Sequence, residues 1–259
     1  MLSNLNLTRP MAIVDLETTG LDVRACRIVE LTIFKVQPDG TVDQKARRIN
    51  PEVPIPSDAA KIHGISDEDV ANEPPFRQLA RGLVSYLEDA DITGFGVERF
   101  DVSVLMAEFS RAGVEFDMDG RRVIDAMLIF HRFEPGNLAA AYRKYFDKEF
   151  EGARTSAADA EAAAAVLNAQ IKAHDLPADV TALEVFQRDP SWIDREGKLE
   201  WVDGVATINF GKHHGKTVAE VHSANADYLE WVLSSDFPEE FKDKLRSAII
   251  GSLIQELES

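Results

Sequence analysis

A single cysteine, Cys26, occurs in the 259 residues. Neither an intramolecular disulfide framework nor a cysteine zinc site can therefore be assembled. Long apolar runs are missing as well. None approaches the roughly 20 residues needed to span a bilayer, and the opening MLSNLNLTRP has no signal-peptide h-region. A cytoplasmic protein with no membrane partner is expected. Positive charge is scarce: 28 Lys and Arg stand against 45 Asp and Glu, a net charge of -17. That balance disfavours a broadly basic polyanion-binding surface. It remains compatible with acids gathered around divalent cations and a local basic strip, the other acids forming a solvated surface. Nothing in the sequence sets the oligomeric state.

What is present reads as a globular chain, 45% hydrophobic, long enough for one medium domain and a small appendage. MAIVD, RIVELTIFKV and TVDQKARRI have strand length and β-branched content, and Pro38-Asp39-Gly40 turns the second onto the third. The Pro-rich NPEVPIPSD reads as an extended loop. Helical signals cover Phe76 to Leu87 and Phe100 to Arg111, the latter ending near Gly113. Asp91 to Phe95 reads as a short buried strand between them. Further helices are expected at about 123–132, 137–146 and 155–173, the last from its alanine content. The order predicts an α/β domain with a mixed sheet. A linker is expected at 176–198, followed by a small α+β module over 199–256.

Asp15-Leu16-Glu17 closes the first apolar run, directly before Thr18-Thr19-Gly20. Residues two apart in a strand share a face, so the two carboxylates project together. Side by side they repel and resist ionisation unless a cation lies between them. A bare D-x-E is more often a solvated strand end. Here the apolar run before it and the tight turn after it present the pair at the mouth of a rigid strand.

These residues resemble the first motif of the DEDD exonuclease superfamily, whose members share an RNase H-like fold. Lys61-Ile62-His63-Gly64-Ile65-Ser66-Asp67 is similar to the family's IHGIT loop. Gly94-Phe95-Gly96-Val97-Glu98-Arg99-Phe100-Asp101 is similar to its GHNxxFD motif, and Val123-Ile124-Asp125 to its I-D-T segment. Gly152-Ala153-Arg154-Thr155-Ser156-Ala157-Ala158-Asp159-Ala160 occupies the place of its third motif. Order and spacing hold over about residues 8–172, and the implied exonuclease domain covers 8–175. The resemblance implies an RNase H-like mixed β-sheet flanked by helices, with Asp15, Glu17, Asp101 and Asp159 binding two Mg²⁺ or Mn²⁺ ions. It further implies that Asp15 bridges both ions, with Glu17 and Asp159 on the water-activating ion and Asp101 on the other. Hard cations take such oxygen ligands, and a pair of them can clamp the attacking and leaving oxygens of a phosphodiester. Thr18, Leu21 and His63 would lie against the terminal nucleotide. Asp125 reads equally as a helix-terminal acid or as part of the site.

Two departures bear on catalysis. The third motif's histidine, the family's general base, is replaced by Arg154, and Phe95-Gly96 stands where His-Asn is usual. Arginine keeps its proton, so it cannot serve as the base. Arg154 then reads as a phosphate grip or transition-state cation in an active enzyme using another base, as the mark of a degenerate member, or as an inactivating substitution. The implied activity is 3′–5′ hydrolysis of single-stranded DNA or RNA, DNA being favoured. The alternatives are a 3′-end binding protein without catalysis, or a subunit partnered with a polymerase or repair protein.

In the C-terminal module, Phe210-Gly211-Lys212-His213-His214-Gly215-Lys216 is a basic turn between glycines. It resembles a small module appended to some bacterial exonucleases. The turn reads equally as a phosphate contact or as a solvated loop. Tyr228, Trp231 and Phe237 are expected to form the module's own core rather than a stacking platform.

Overall fold

The structure, a computed structural model, describes residues 1–150, 155–235 and 237–258, with side chains through residue 252. They fall into two compact units, Met1–Gln187 and Arg188–Ser259.

In the first unit, β1 (Met11–Thr18), β2 (Ile28–Val36) and β3 (Val42–Arg48) form an antiparallel meander. After α1 (Ser57–His63), α2 (Asp67–Val70) and α3 (Phe76–Leu87) come β4 (Asp91–Gly94), α4 (Asp101–Arg111), β5 (Val123–Asp125), α5 (Ala126–His131), α6 (Leu138–Phe146), α7 (Ser156–Ala173) and α8 (Val180–Gln187). The sheet order is β3-β2-β1-β4-β5, with β4 parallel to β1 and β5 parallel to β4. The mixed sheet flanked by helices is the fold expected from the sequence.

Alternation along β1 divides the core. Ala12, Val14 and Leu16 face one layer with Phe76, Leu83, Leu105 and Phe109 of α3 and α4. Met11 and Ile13 face the other, with Ala160, Ala164 and Leu167 of α7 and Val180 and Leu183 of α8. Alanines in α7 have little side chain to hold the helix away from the sheet, so it packs closely. Gly94 serves the same end on β4: a Cβ there would come within 2.7 Å of the Val14 carbonyl.

Three expectations are corrected. Val123–Asp125, expected to open a helix, is the fifth strand, because a short apolar run does not distinguish helix from strand until neighbours pair with it. The helix α1 begins inside the expected extended loop, at Ser57, and His63 is its last residue rather than a loop residue. The stretch 176–198, expected as a linker, contains α8, whose Gln187 accepts from the Asp125 N–H at 2.7 Å and donates to the Val123 carbonyl at 2.7 Å. With Val180, Leu183 and Gln187 buried, α8 belongs to the first unit, which ends at Gln187.

In the second unit, β6 (Leu199–Val202) and β7 (Val205–Ile208) form a hairpin turned by Asp203-Gly204, both at positive φ, as its right-handed twist requires. The helix α9 (Val218–Ser234) opens on a Thr217–Glu220 capping box and bends at Asn225. With α10 (Glu239–Glu258) it buries Leu229, Val232, Phe241 and Leu245 against Leu199 and Ile208. Tyr228 and Phe237 belong to this cluster as expected, but Trp231 does not: it is 55% exposed. Among the described residues no helix is long and apolar enough to cross a membrane.

Candidate metal centre

Asp15 and Glu17 follow Met11 and Ile13 in the odd register of β1, the face covered by α7. Asp159 lies in the first turn of α7. Strand and helix therefore bring three half-buried carboxylates together, with oxygens all within 4.8 Å of one another. Asp101 is the first residue of α4 and is buried. Its Oδ1 accepts from the Leu16 N–H at 3.1 Å, which sets it beside Asp15 rather than inside the triplet.

The charges oppose one another. Burial first, then Asp101, Asp159, Glu17 and Glu30, push the Asp15 carboxyl well above the usual range. Glu17 is pushed up to about 7 by burial, Asp159 and Glu30. Burial raises Asp159 too, and burial followed by Asp125 raises Asp101. Four acids that resist ionisation, gathered at the end of a rigid strand, form an oxygen-donor set suited to a hard divalent cation.

Two further acids hold this set in place. Glu30, opposite Glu17 in the β1–β2 register, accepts from the Ser156 N–H at 3.1 Å and the Ser156 hydroxyl at 3.0 Å. It thus fastens the first turn of α7 to the sheet. Sequence reasoning missed Glu30; the signal was an acid set among Ile28, Val29 and Leu31 near the start of a strand. Asp125, left open between two roles, caps α5 through the Met127 N–H at 2.9 Å. It also accepts from Gly96 N–H at 2.8 Å and Glu98 N–H at 3.1 Å. The loop leading to Asp101 is held this way although it lacks the usual His-Asn pair.

The residues expected against a nucleotide are distributed differently. The Thr18 side chain is buried and its hydroxyl donates to the Gly20 carbonyl at 2.7 Å, so it holds the turn after β1. Leu21, in that turn, is 86% exposed. His63 is buried at the end of α1, with Nδ1 accepting from the Ile65 N–H at 3.1 Å. Burial lowers its pKa, against the opposing effects of the Thr18 backbone and Glu30. Arg154 lies outside the described residues.

The protein family described as Exonuclease matches residues 12–167, and that described as Exodeoxyribonuclease X-like C-terminal matches residues 208–234. The DNA polymerase III subunit epsilon of Pasteurella multocida (strain Pm70) is 28% identical over 134 residues, 48% of this chain and 51% of that protein. The chain thus spans about half the length of that relative. The zinc-bound E. coli exonuclease I complex with single-stranded DNA superposes with a TM-score of 0.55 at 18% identity, covering 63% of this chain and 40% of that one. Exonuclease X in complex with 5′ overhanging duplex DNA gives 0.51 at 20% identity, covering 69% of this chain and 99% of the other. Both likenesses are of fold.

Proposed function

Because the chain belongs to the exonuclease family, we propose that it hydrolyses single-stranded DNA from the 3′ end with the help of two divalent ions, Mg²⁺ or Mn²⁺. The carrying observation is the triplet of Asp15, Glu17 and Asp159 oxygens within 4.8 Å, with Asp101 beside it. These four residues would hold the ions. When bound, the ions supply an activated water and offset the charge developing on the phosphate. The chain's own contribution is rigidity. Asp101 is oriented by the Leu16 N–H, Asp159 by the Glu30–Ser156 clamp, and the approach to α4 by Asp125. Exposed Leu21, directly beyond the strand that carries two of the acids, offers an apolar contact to a terminal base. DNA is favoured over RNA because exonucleases I and X are named in complexes with DNA.

Arg154 supports a second reading, a 3′-end binding protein with little turnover, since no proton acceptor stands at the family's base position. The Pasteurella relative's name makes a polymerase a reasonable partner for this chain. One experiment separates the two main readings. Mn²⁺-dependent release of 3′ nucleotides from a single-stranded oligonucleotide is abolished in Asp15→Ala and rises in Arg154→His, by up to about 10²–10⁴-fold for a restored general base. An Arg154→His protein that binds Mn²⁺ yet degrades neither DNA nor RNA ends the enzyme reading.

A further inference from the structure

The acidic centre leaves unexplained the basic turn between β7 and α9. Gly211 and Gly215 both take positive φ. The Gly215 N–H donates to the Ile208 carbonyl at 2.8 Å, as does the Ile208 N–H to the Lys216 carbonyl, so the turn is closed onto β7. It is also seated on Tyr228. A Cβ on Gly211 would come within 3.3 Å of the Tyr228 hydroxyl. The His213 ring meets the Tyr228 ring edge-on at 4.5 Å, and Lys212 Nζ lies 4.8 Å from its centroid. Lys212, His214 and Lys216 are exposed. Among the described residues neither lysine has a carboxylate oxygen within ion-pair distance, although Glu220 feels the charge of Lys216.

One helical turn beyond Tyr228 lies Trp231, ring centroids 5.6 Å apart. Tyr228 is buried, but Trp231 is 55% exposed. Tyr228 thus links a fixed cationic turn to an exposed indole on one surface. A polynucleotide single strand offers what these two groups would take together: phosphates for the lysines and an unstacked base for the indole. Asp227 and Glu230 are exposed on the same helix and confine the positive surface. A flexible strand can avoid them, whereas a duplex brings two charged backbones and no free base face.

We infer that the second unit is a single-stranded DNA binding module, with Lys212 and Lys216 on the phosphate backbone and Trp231 stacked on a base. The inference rests on the reading that the chain handles nucleic acid. It is tested on the full chain in EDTA, where hydrolysis plays no part, by fluorescence anisotropy with a labelled 20-nucleotide oligothymidylate. Trp231→Ala weakens binding about tenfold, one base stack, and Trp231→Phe recovers much of it. The double variant Lys212→Gln, Lys216→Gln flattens the dependence of log affinity on log salt by about 1.4, two phosphate contacts on a single strand. A blunt duplex of equal length binds more weakly than the oligothymidylate. Both lysines are exposed, so the lysine variant decides the matter even if Trp231→Ala unfolds. Unchanged salt dependence in the lysine variant, or duplex binding as tight as single-strand binding, overturns the inference. A wild-type chain that releases no nucleotide with Mn²⁺, yet binds through these residues, sinks the exonuclease reading and leaves this one standing.

Discussion

The Glu30 carboxylate on β2 accepts both the N–H and the hydroxyl of Ser156, at 3.1 and 3.0 Å, and Ser156 opens the helix that carries Asp159. One side chain thereby sets the distance between the helix-borne acid and the two strand-borne acids.

Removing that clamp affects stability and metal affinity together. In Glu30→Ala the buried Ser156 N–H loses its side-chain partner, at a cost of about 1–3 kcal/mol. At ~2–4 °C per kcal/mol for a unit of this size, calorimetry registers a fall of several degrees. Mn²⁺ affinity, measured by titration, drops about tenfold, as for loss of a group that orients a ligand. Glu30→Gln keeps an acceptor and recovers most of both. Unaltered Mn²⁺ affinity in Glu30→Ala would show that the clamp does not place Asp159.

The same acids set a pH dependence. Glu17 is pushed from 4.5 to about 7 in the folded chain. Between those values the folded state holds a proton that the unfolded state has released. The metal-free protein therefore loses this contribution as pH rises through the window, and has lost it above about 7. A divalent cation binds the deprotonated carboxylates and reverses the loss. The rise in Tm on adding saturating Mn²⁺ is accordingly larger at pH 8 than at pH 6; an increment that shrinks over this range contradicts the assignment.

Asp15 has the acidic neighbours Asp101, Asp159, Glu17 and Glu30. Asp15→Asn keeps its shape and removes its charge. In EDTA at pH 8 the variant melts higher than the wild type, by a few degrees for each ~1 kcal/mol of repulsion relieved. With Mn²⁺ it loses nucleotide release by about 100-fold or more, since even groups orienting a ligand account for 10–100-fold. This opposition marks a site built for function at the expense of stability. Equal destabilisation with and without metal would instead mark Asp15 as structural.

Gly94 ends β4, with its backbone packed against Val14 of β1. In Gly94→Ala the methyl group meets the Val14 carbonyl, immediately before Asp15, and Val97 Cβ at 2.9 Å. Neither neighbour is the end of a flexible chain. Overpacking of this kind costs about 1–3 kcal/mol. The melting temperature falls, and Mn²⁺ affinity falls with it because β1 is displaced beneath the acids. A substitution neutral in both measurements would show that the strands can separate freely.

Local pattern accounts for much of this protein. The apolar run ending in Asp15-Leu16-Glu17 is legible as a strand presenting two acids because strand alternation depends only on chain geometry. The same is true of α3, α4 and α7, each long enough for its period or composition to identify it. Val123–Asp125 is not, since three residues carry no period and become a strand only by pairing with β4. Glu30 was hidden as a support, a solitary acid in a strand, and Asp125 was half hidden, reading equally as a helix-terminal acid or as part of the site. Their partners lie 126 and about 29 residues away in sequence.

The second unit shows the same division. Its basic turn can be read from seven consecutive residues, but whether Tyr228 and Trp231 lie in the core or on the surface cannot, because both fall on one side of a helix whose neighbours are remote. Packing buried the first and exposed the second. Chain chemistry and local periodicity alone settle which acids exist, which elements carry them and that Asp15 and Glu17 share a face of β1. That Asp159 meets Asp15 and Glu17 while Asp101 is held to one side follows from packing across the chain. Carboxylates separated by more than a hundred residues acquire a mutual distance only when a helix is fastened to a strand.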